Sequence, residues 1–272
     1  AEARALGLVP NLTTSGFGIT EERAVAMAGL FGQVNVSLDG LGADYEAVRG
    51  WDGVELGLRS LRSLREAGAQ LGVNTVLSRR NLAGLPALAE ALAAEGVVDW
   101  QWLRFKPAGR GAGAYAEHAL GAAEGESLWP LALELEERFG LSIRFDCALV
   151  PFLAVHLPDP SQAARLDIAG CVAGERLLTR DAAGRWRPCS FASQDAGEGT
   201  LVEAWTGSPT LLAWRAWAAS PPEPCASCAW QPLCRGGCRV VAEHSLGDPL
   251  RPDPECPRVL AWARTWKPGA VP

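Results

Sequence analysis

Eight cysteines carry most of the chemistry legible in this chain, and seven of them fall between Cys171 and Cys256. Cys171 leads through Gly184 to Cys189, Cys225, Cys228, Cys234 and Cys238 follow, and Cys256 closes the set, giving C-x12-G-x4-C, then C-x2-C-x5-C-x3-C, then C. A C-x2-C loop brings two thiolates onto one metal centre, and distant cysteines supply the remaining corners. Thiolate spacing alone leaves two inorganic readings open, iron-sulfur clusters and structural zinc, because four-cysteine zinc ribbons use the same pairs. Disulfides are the third reading. They belong mostly to small exported domains, whereas this chain is long, rich in apolar residues and without a secretory signal pattern.

The elements that must position these thiols are read from apolar periodicity. A chain of 272 residues at 48% hydrophobic composition buries a substantial core. An apolar run, Leu6 to Leu12, ends in the turn Thr13–Gly16 and reads as a buried strand. A helix is expected from Thr20, capped by that threonine and begun by Glu21 and Glu22, with Ala24, Met27, Ala28 and Leu30 on its apolar face. Strands are expected at 33–38, 71–77 and 99–105, and helices at 54–67, 82–94 and 124–139. This alternation predicts parallel βα units, in an open α/β sheet or a (β/α) barrel, with functional groups where the strands end. The segment Gly109–Ala114 is glycine-rich without the order of a phosphate loop, and reads as a flexible rim loop.

The net charge of −6 and the absence of a basic tract argue against nucleic-acid or anionic-membrane partners. No apolar run is long enough to cross a bilayer, so a cytoplasmic protein is expected. His118, His156 and His244 are scattered and read as incidental.

The cysteine pattern resembles the SPASM domain, the cysteine-rich extension of many radical S-adenosylmethionine (SAM) enzymes, which holds auxiliary iron-sulfur clusters. The resemblance implies a partial parallel (β/α) barrel over 1–145, a SPASM domain over 146–262 and a tail over 263–272. It implies two 4Fe-4S clusters: an inner one on Cys171, Cys189 and Cys238 and an outer one on Cys225, Cys228, Cys234 and Cys256. Cys147, in FDCALVPF, is placed as the fourth inner ligand; some relatives leave that iron open, in which case Cys147 is a buried or substrate-facing thiol.

In the same way VNVSLDG, ending in Ser37, and Arg49 twelve residues on resemble the strand and arginine that hold the amino-acid part of SAM. A hydroxyl and a guanidinium together suit a carboxylate. Asn74 in VNTVL and Leu103 in LRFKP would flank its ribose and adenine ends. Asp146, beside Cys147, is the candidate proton acceptor. Ser190 stands where the sulfatase-maturing branch carries an aspartate, which argues against that activity.

The family's C-x3-C-x2-C motif, which binds a third 4Fe-4S cluster and through it cleaves SAM to a hydrogen-abstracting radical, does not occur in this sequence. The chain reads as the C-terminal two-thirds of such an enzyme: a fragment, a chain with a misassigned start, or one part of a split protein whose partner carries the motif. The implied parent activity is radical-based oxidative modification of a peptide or protein side chain, with a ferredoxin or flavodoxin as electron donor. The contrasting reading is a non-catalytic zinc or iron-sulfur module serving as an interaction or electron-transfer subunit.

Overall fold

The computed structural model describes residues 1–157 and 159–265. The chain divides into two compact units, one of Ala1–Arg104 with Trp129–Phe145, the other of Phe105–Leu128 with the chain from Asp146 onward.

The first unit is built on five strands, β1 (Asn11–Thr14), β2 (Gln33–Ser37), β3 (Leu71–Leu77), β4 (Asp99–Arg104) and β5 (Ser142–Phe145). They pair in parallel and in chain order, β1-β2-β3-β4-β5. Right-handed crossovers that always add the next strand on the same side place every connecting helix on one face. That is barrel topology, not the doubly wound alternative, and it explains the residue pattern. One face carries Val34, Val36, Leu38, Val73, Leu77, Trp100 and Trp102, all buried. Each large apolar side chain there contributes about 1.5–3 kcal/mol by leaving water. The tryptophans stack edge-on at 5.3 Å, and Trp100 Nε1 donates to Thr75 Oγ1 at 2.8 Å. The other face is polar: Gln33, Asn35 and Ser37 on β2, Asn74 on β3, Asp99 and Gln101 on β4. Parallel sheets covered on both faces read as continuous apolar runs, so alternation in a parallel sheet marks a face that lines an interior. At the start of these strands Asp99 accepts from Gln33 and Gln70, at 3.3 Å each, and pairs with Arg144.

Local signals behave as their chemistry dictates. Thr20 Oγ1 accepts from the Arg23 amide at 3.3 Å and caps the helix Glu21–Leu30. The expected strand at Leu6–Leu12 is displaced: residues 2–5 form a helical turn and the strand begins at Asn11, because only from there does the backbone find its partner in β2. Gly111–His118 is a helix where a flexible loop was expected, since its alanines favour helix and Tyr115 anchors it by burial. The expected helix at 124–139 is two, Ala122–Glu126 and Leu128–Phe139.

The second unit has only a two-stranded antiparallel hairpin, β6 (Thr179–Arg180) with β7 (Trp186–Arg187), among short helices. Thr200 and Glu203 form a reciprocal cap on the helix Leu201–Gly207. Two further helices, Pro209–Ala219 and Arg239–Leu246, bury Leu211, Trp214, Trp217, Val240 and Val241. The last helix runs over Pro257–Thr265, so the expected tail at 263–272 begins in helix and continues outside the described residues.

Candidate metal centres and cofactor face

All eight cysteines lie in the second unit and all are free thiols. Cys225, Cys228, Cys234 and Cys256 line one cavity, of about 410 Å³ and communicating with solvent, whose wall is completed by Pro151, Trp230 and Gly236. The other four gather elsewhere. Cys171, Cys189 and Cys238 pack in one apolar cluster with Tyr115, Ala148, Trp214 and Val241. Burial pushes the Cys147, Cys171 and Cys189 thiols up, and neighbouring thiols push in the same sense: Cys171 on Cys147, Cys189 on Cys171, Cys238 on Cys189. In the cavity, burial raises Cys225 to about 12, with Cys256 and Cys228 adding to it, and raises Cys234 and Cys256 as well.

The division of the C-x3-C pair between the two groups has a local cause. Arg235, Gly236 and Gly237 all take positive φ, at 58°, 87° and 78°. This left-handed turn sends Cys234 to the cavity and Cys238 to the apolar cluster. It tolerates no side chain at the glycines: a Cβ on Gly236 would lie 2.1 Å from the Trp217 ring, and one on Gly237 would lie 2.4 Å from Asp253. Asp253, fully buried, fixes the far side, accepting from the Cys238 amide at 2.9 Å and from Glu255 N at 3.0 Å, while its carbonyl accepts from Cys256 N at 3.1 Å. One carboxylate thus spans loops that feed both groups of thiols.

Four thiols around one cavity are a donor set for a thiolate-bound metal centre, and both a 4Fe-4S cluster and a structural zinc take such a set.

Asp146 is buried, ion-paired to Lys106 and followed by Cys147. The Lys106 ammonium outweighs burial and holds the Asp146 carboxyl below the usual range, while Asp146 holds Lys106 up. Lys106 Nζ also lies 4.5 Å over the Phe191 ring.

The four residues expected at SAM lie in the first unit. Ser37 ends β2 directly opposite Asn74 on β3, and Val76, two residues on, lies opposite Leu103 of β4. Ser37, Asn74 and Leu103 therefore share the polar face. Arg49 ends the helix Gly42–Arg49, where its guanidinium pairs with buried Asp39 at 2.7 Å. Asp39 also accepts from Val76 N at 2.8 Å. Burial raises the Asp39 carboxyl despite Arg49. Two of the buried polar atoms without a hydrogen-bond partner are Asn74 Oδ1 and Arg49 Nε. Such orphans are uncommon, and on these residues they leave capacity for a polar ligand.

Three residues of these arrangements escaped the sequence reading: Asp39, Lys106 and Asp253. Their only signals are positional, in SLDG, LRFKP and DPEC.

No protein-family model matches the chain. Among curated proteins, pre-heme d1 synthase of Dinoroseobacter shibae is 30% identical over 277 residues, covering 93% of this chain and 68% of that protein. The chain belongs to the radical SAM/SPASM family. Mycofactocin maturase MftC of Mycolicibacterium smegmatis is 31% identical, with 90% and 62% covered, and PqqA peptide cyclase of Methylocella silvestris is 30% identical, with 94% and 69% covered. The chain spans about two-thirds of the length of these radical SAM/SPASM relatives. Solved structures of the family share the fold: anSMEcpe with bound AdoMet superposes at TM-score 0.66, 16% identity, covering 95% of this chain and 76% of that one. Streptococcus suis SuiB bound to S-adenosylmethionine superposes at 0.69, 17% identity, covering 93% and 60%.

Proposed function

We propose that this chain is the auxiliary-cluster-bearing, C-terminal part of a SAM-dependent radical enzyme that oxidatively modifies a peptide or protein side chain. The observation that carries the reading is the sorting of free thiols into a set of four around one cavity and a set of three, Cys171, Cys189 and Cys238, in one apolar cluster, with the Cys147 thiol raised by Cys171 of that set. We assign residues 1–145 to a partial barrel and 146–262 to the SPASM domain, with Cys147, Cys171, Cys189 and Cys238 holding one 4Fe-4S cluster and Cys225, Cys228, Cys234 and Cys256 the other. When bound, the clusters would supply one-electron transfer or substrate anchoring, and SAM would supply hydrogen abstraction.

The chain's own residues have distinct tasks. Ser37 and Arg49 hold the SAM carboxylate, Asp39 orients Arg49, and Asn74 and Leu103 flank the ribose and adenine. Asp146, kept ionised by Lys106, accepts the proton lost when the substrate side chain is oxidised. A ferredoxin or flavodoxin supplies electrons in the cytoplasm. The C-x3-C-x2-C motif needed for SAM cleavage is supplied by a further segment of the same protein or by a separate chain.

A peptide substrate is supported by the relatives named as a maturase and a peptide cyclase, and by SuiB solved with its precursor peptide SuiA. Pre-heme d1 synthase and the AdoMet-dependent heme synthases, at 25–30% identity, support a tetrapyrrole as the second reading.

The test begins with anaerobic purification and analysis of iron, sulfide and zinc. About eight irons and eight sulfides per chain, with broad absorption near roughly 400 nm, are expected for two 4Fe-4S clusters. About two zincs in a colourless protein would sink the cluster reading. Incubating the loaded protein, together with the segment or chain that carries C-x3-C-x2-C, and SAM with precursor peptides or with porphyrinogens then separates the two substrate readings.

A further inference from the structure

Arg239 follows Cys238 and opens the helix Arg239–Leu246, the end of a helix where a cation is disfavoured by the backbone dipole. It is nonetheless 6% exposed. Its guanidinium lies over the Trp217 ring at 4.3 Å and the Trp214 ring at 5.1 Å, and Nη1 donates to the Pro249 carbonyl at 3.2 Å. Among the described residues no carboxylate lies within ion-pair distance of it. Glu175, whose charge reaches Arg239, is paired with Arg235.

A charge taken out of water is costly unless an opposite charge compensates it. The protein supplies two aromatic faces and one carbonyl. The remaining negative groups in range are thiols once ionised: Cys171 and Cys238 from one set and Cys225 from the other. The second buried cation near these sets, Lys106, is already neutralised by Asp146 and adds little net field. Arg239 has no such partner: it follows Cys238 directly, lies over Trp214, which packs with Cys171, Cys189 and Cys238, and its charge reaches Cys225 of the other set.

We propose that Arg239, held against Trp214 and Trp217, is the counter-charge shared by the two thiol sites and raises the reduction potential of the cluster at each. Reduction makes a thiolate-ligated cluster more negative, so a fixed cation favours the reduced form. The two indoles exclude water, which keeps that interaction from being screened. This role rests on the cluster reading above.

The test is a redox titration followed by electron paramagnetic resonance on the anaerobically loaded chain. In Arg239→Gln the reduced-to-oxidised ratio of each cluster at fixed potential falls at least tenfold, a downward shift of about 59 mV per one-electron couple. Arg239→Lys, which keeps the charge, stays within that tenfold range. Wild-type potentials in fully loaded Arg239→Gln, or displacement of one cluster alone, overturn the proposal. If Arg239→Gln takes up no iron, Arg239→Lys decides: loading with wild-type potentials supports the charge role, and failure of both variants overturns it in favour of packing. Zinc in place of iron in the unsubstituted chain defeats the cluster reading itself, and is seen before any variant is made.

Discussion

Gly236→Ala tests whether the left-handed turn between Cys234 and Cys238 is what divides the thiols. Two costs add at this position. An L side chain in the left-handed region costs about 1–2 kcal/mol, and Gly236 sits at φ +87°. The new Cβ also meets the Trp217 ring at 2.1 Å. That ring cannot swing aside freely, because its Nε1 donates to Leu250 O at 2.6 Å and its face carries Arg239. Overpacking of this kind adds about 1–3 kcal/mol, for a total of about 2–5 kcal/mol, a large part of the roughly 5–15 kcal/mol that typically holds a domain together. Gly247→Ala is the control: φ is +73°, and nothing lies within 4 Å of the added carbon. It pays the backbone cost alone. In thermal unfolding of the iron-loaded chain the Gly236 variant should melt lower than the Gly247 variant by about 2–12 °C, from about 2–4 °C per kcal/mol, and should lose iron to a chelator sooner. Adding Trp217→Leu should recover part of the difference, with a coupling of about 1 kcal/mol or more. Equal melting temperatures for the two alanine variants would refute the steric account.

Other expectations follow from the charges. Asp181 is held at about 2 by the backbone N–H of Arg185 and by the Arg187 and Arg185 guanidinium groups. Because its folded value lies below the ordinary 3.8, the order it gives the β6–β7 hairpin is complete above 3.8 and is lost as pH falls through about 2; a carboxyl ¹³C titration with a midpoint near 4 would contradict this. Arg49→Met leaves Asp39 buried without its cation, at a cost of about 3 kcal/mol at pH 7. Since the Asp39 carboxyl is raised, the deficit should shrink as pH falls and be gone once pH is below the ordinary value, where the carboxyl is protonated in the folded and the unfolded chain alike; a pH-independent deficit in urea unfolding would show that the ion pair is not its source. Burial raises the metal-free Cys147, Cys171, Cys189, Cys225, Cys234 and Cys256 thiols, so binding of Cd²⁺ at pH 7, with no sulfide present, should release about one proton per ligating thiol, read in a pH-stat; release well below that would mean that fewer cysteines ligate.

The sequence by itself determined the elements whose signals are local or periodic. Leu71–Leu77 is a strand because its apolar run is bounded by polar turns, and Thr20 caps its helix because its hydroxyl reaches an amide three residues on. The cysteine spacing, likewise, pointed to thiolate ligation of a metal and left iron-sulfur and zinc both open. What the tertiary structure decided depends on neighbours far apart in the chain. β1 begins at Asn11 and not Leu6 because β2 is there to pair with it. A polar face on a parallel sheet has meaning only once strand order sets every crossover on the opposite side. Asp39 with Arg49, and Lys106 with Asp146, are separated by ten and forty residues and leave no periodic trace. Arg239 is the clearest case. One residue after a cysteine it reads as an ordinary surface arginine, and only the packing of Trp214 and Trp217 against it, from a helix some twenty residues earlier, removes it from water and leaves the thiols to answer its charge.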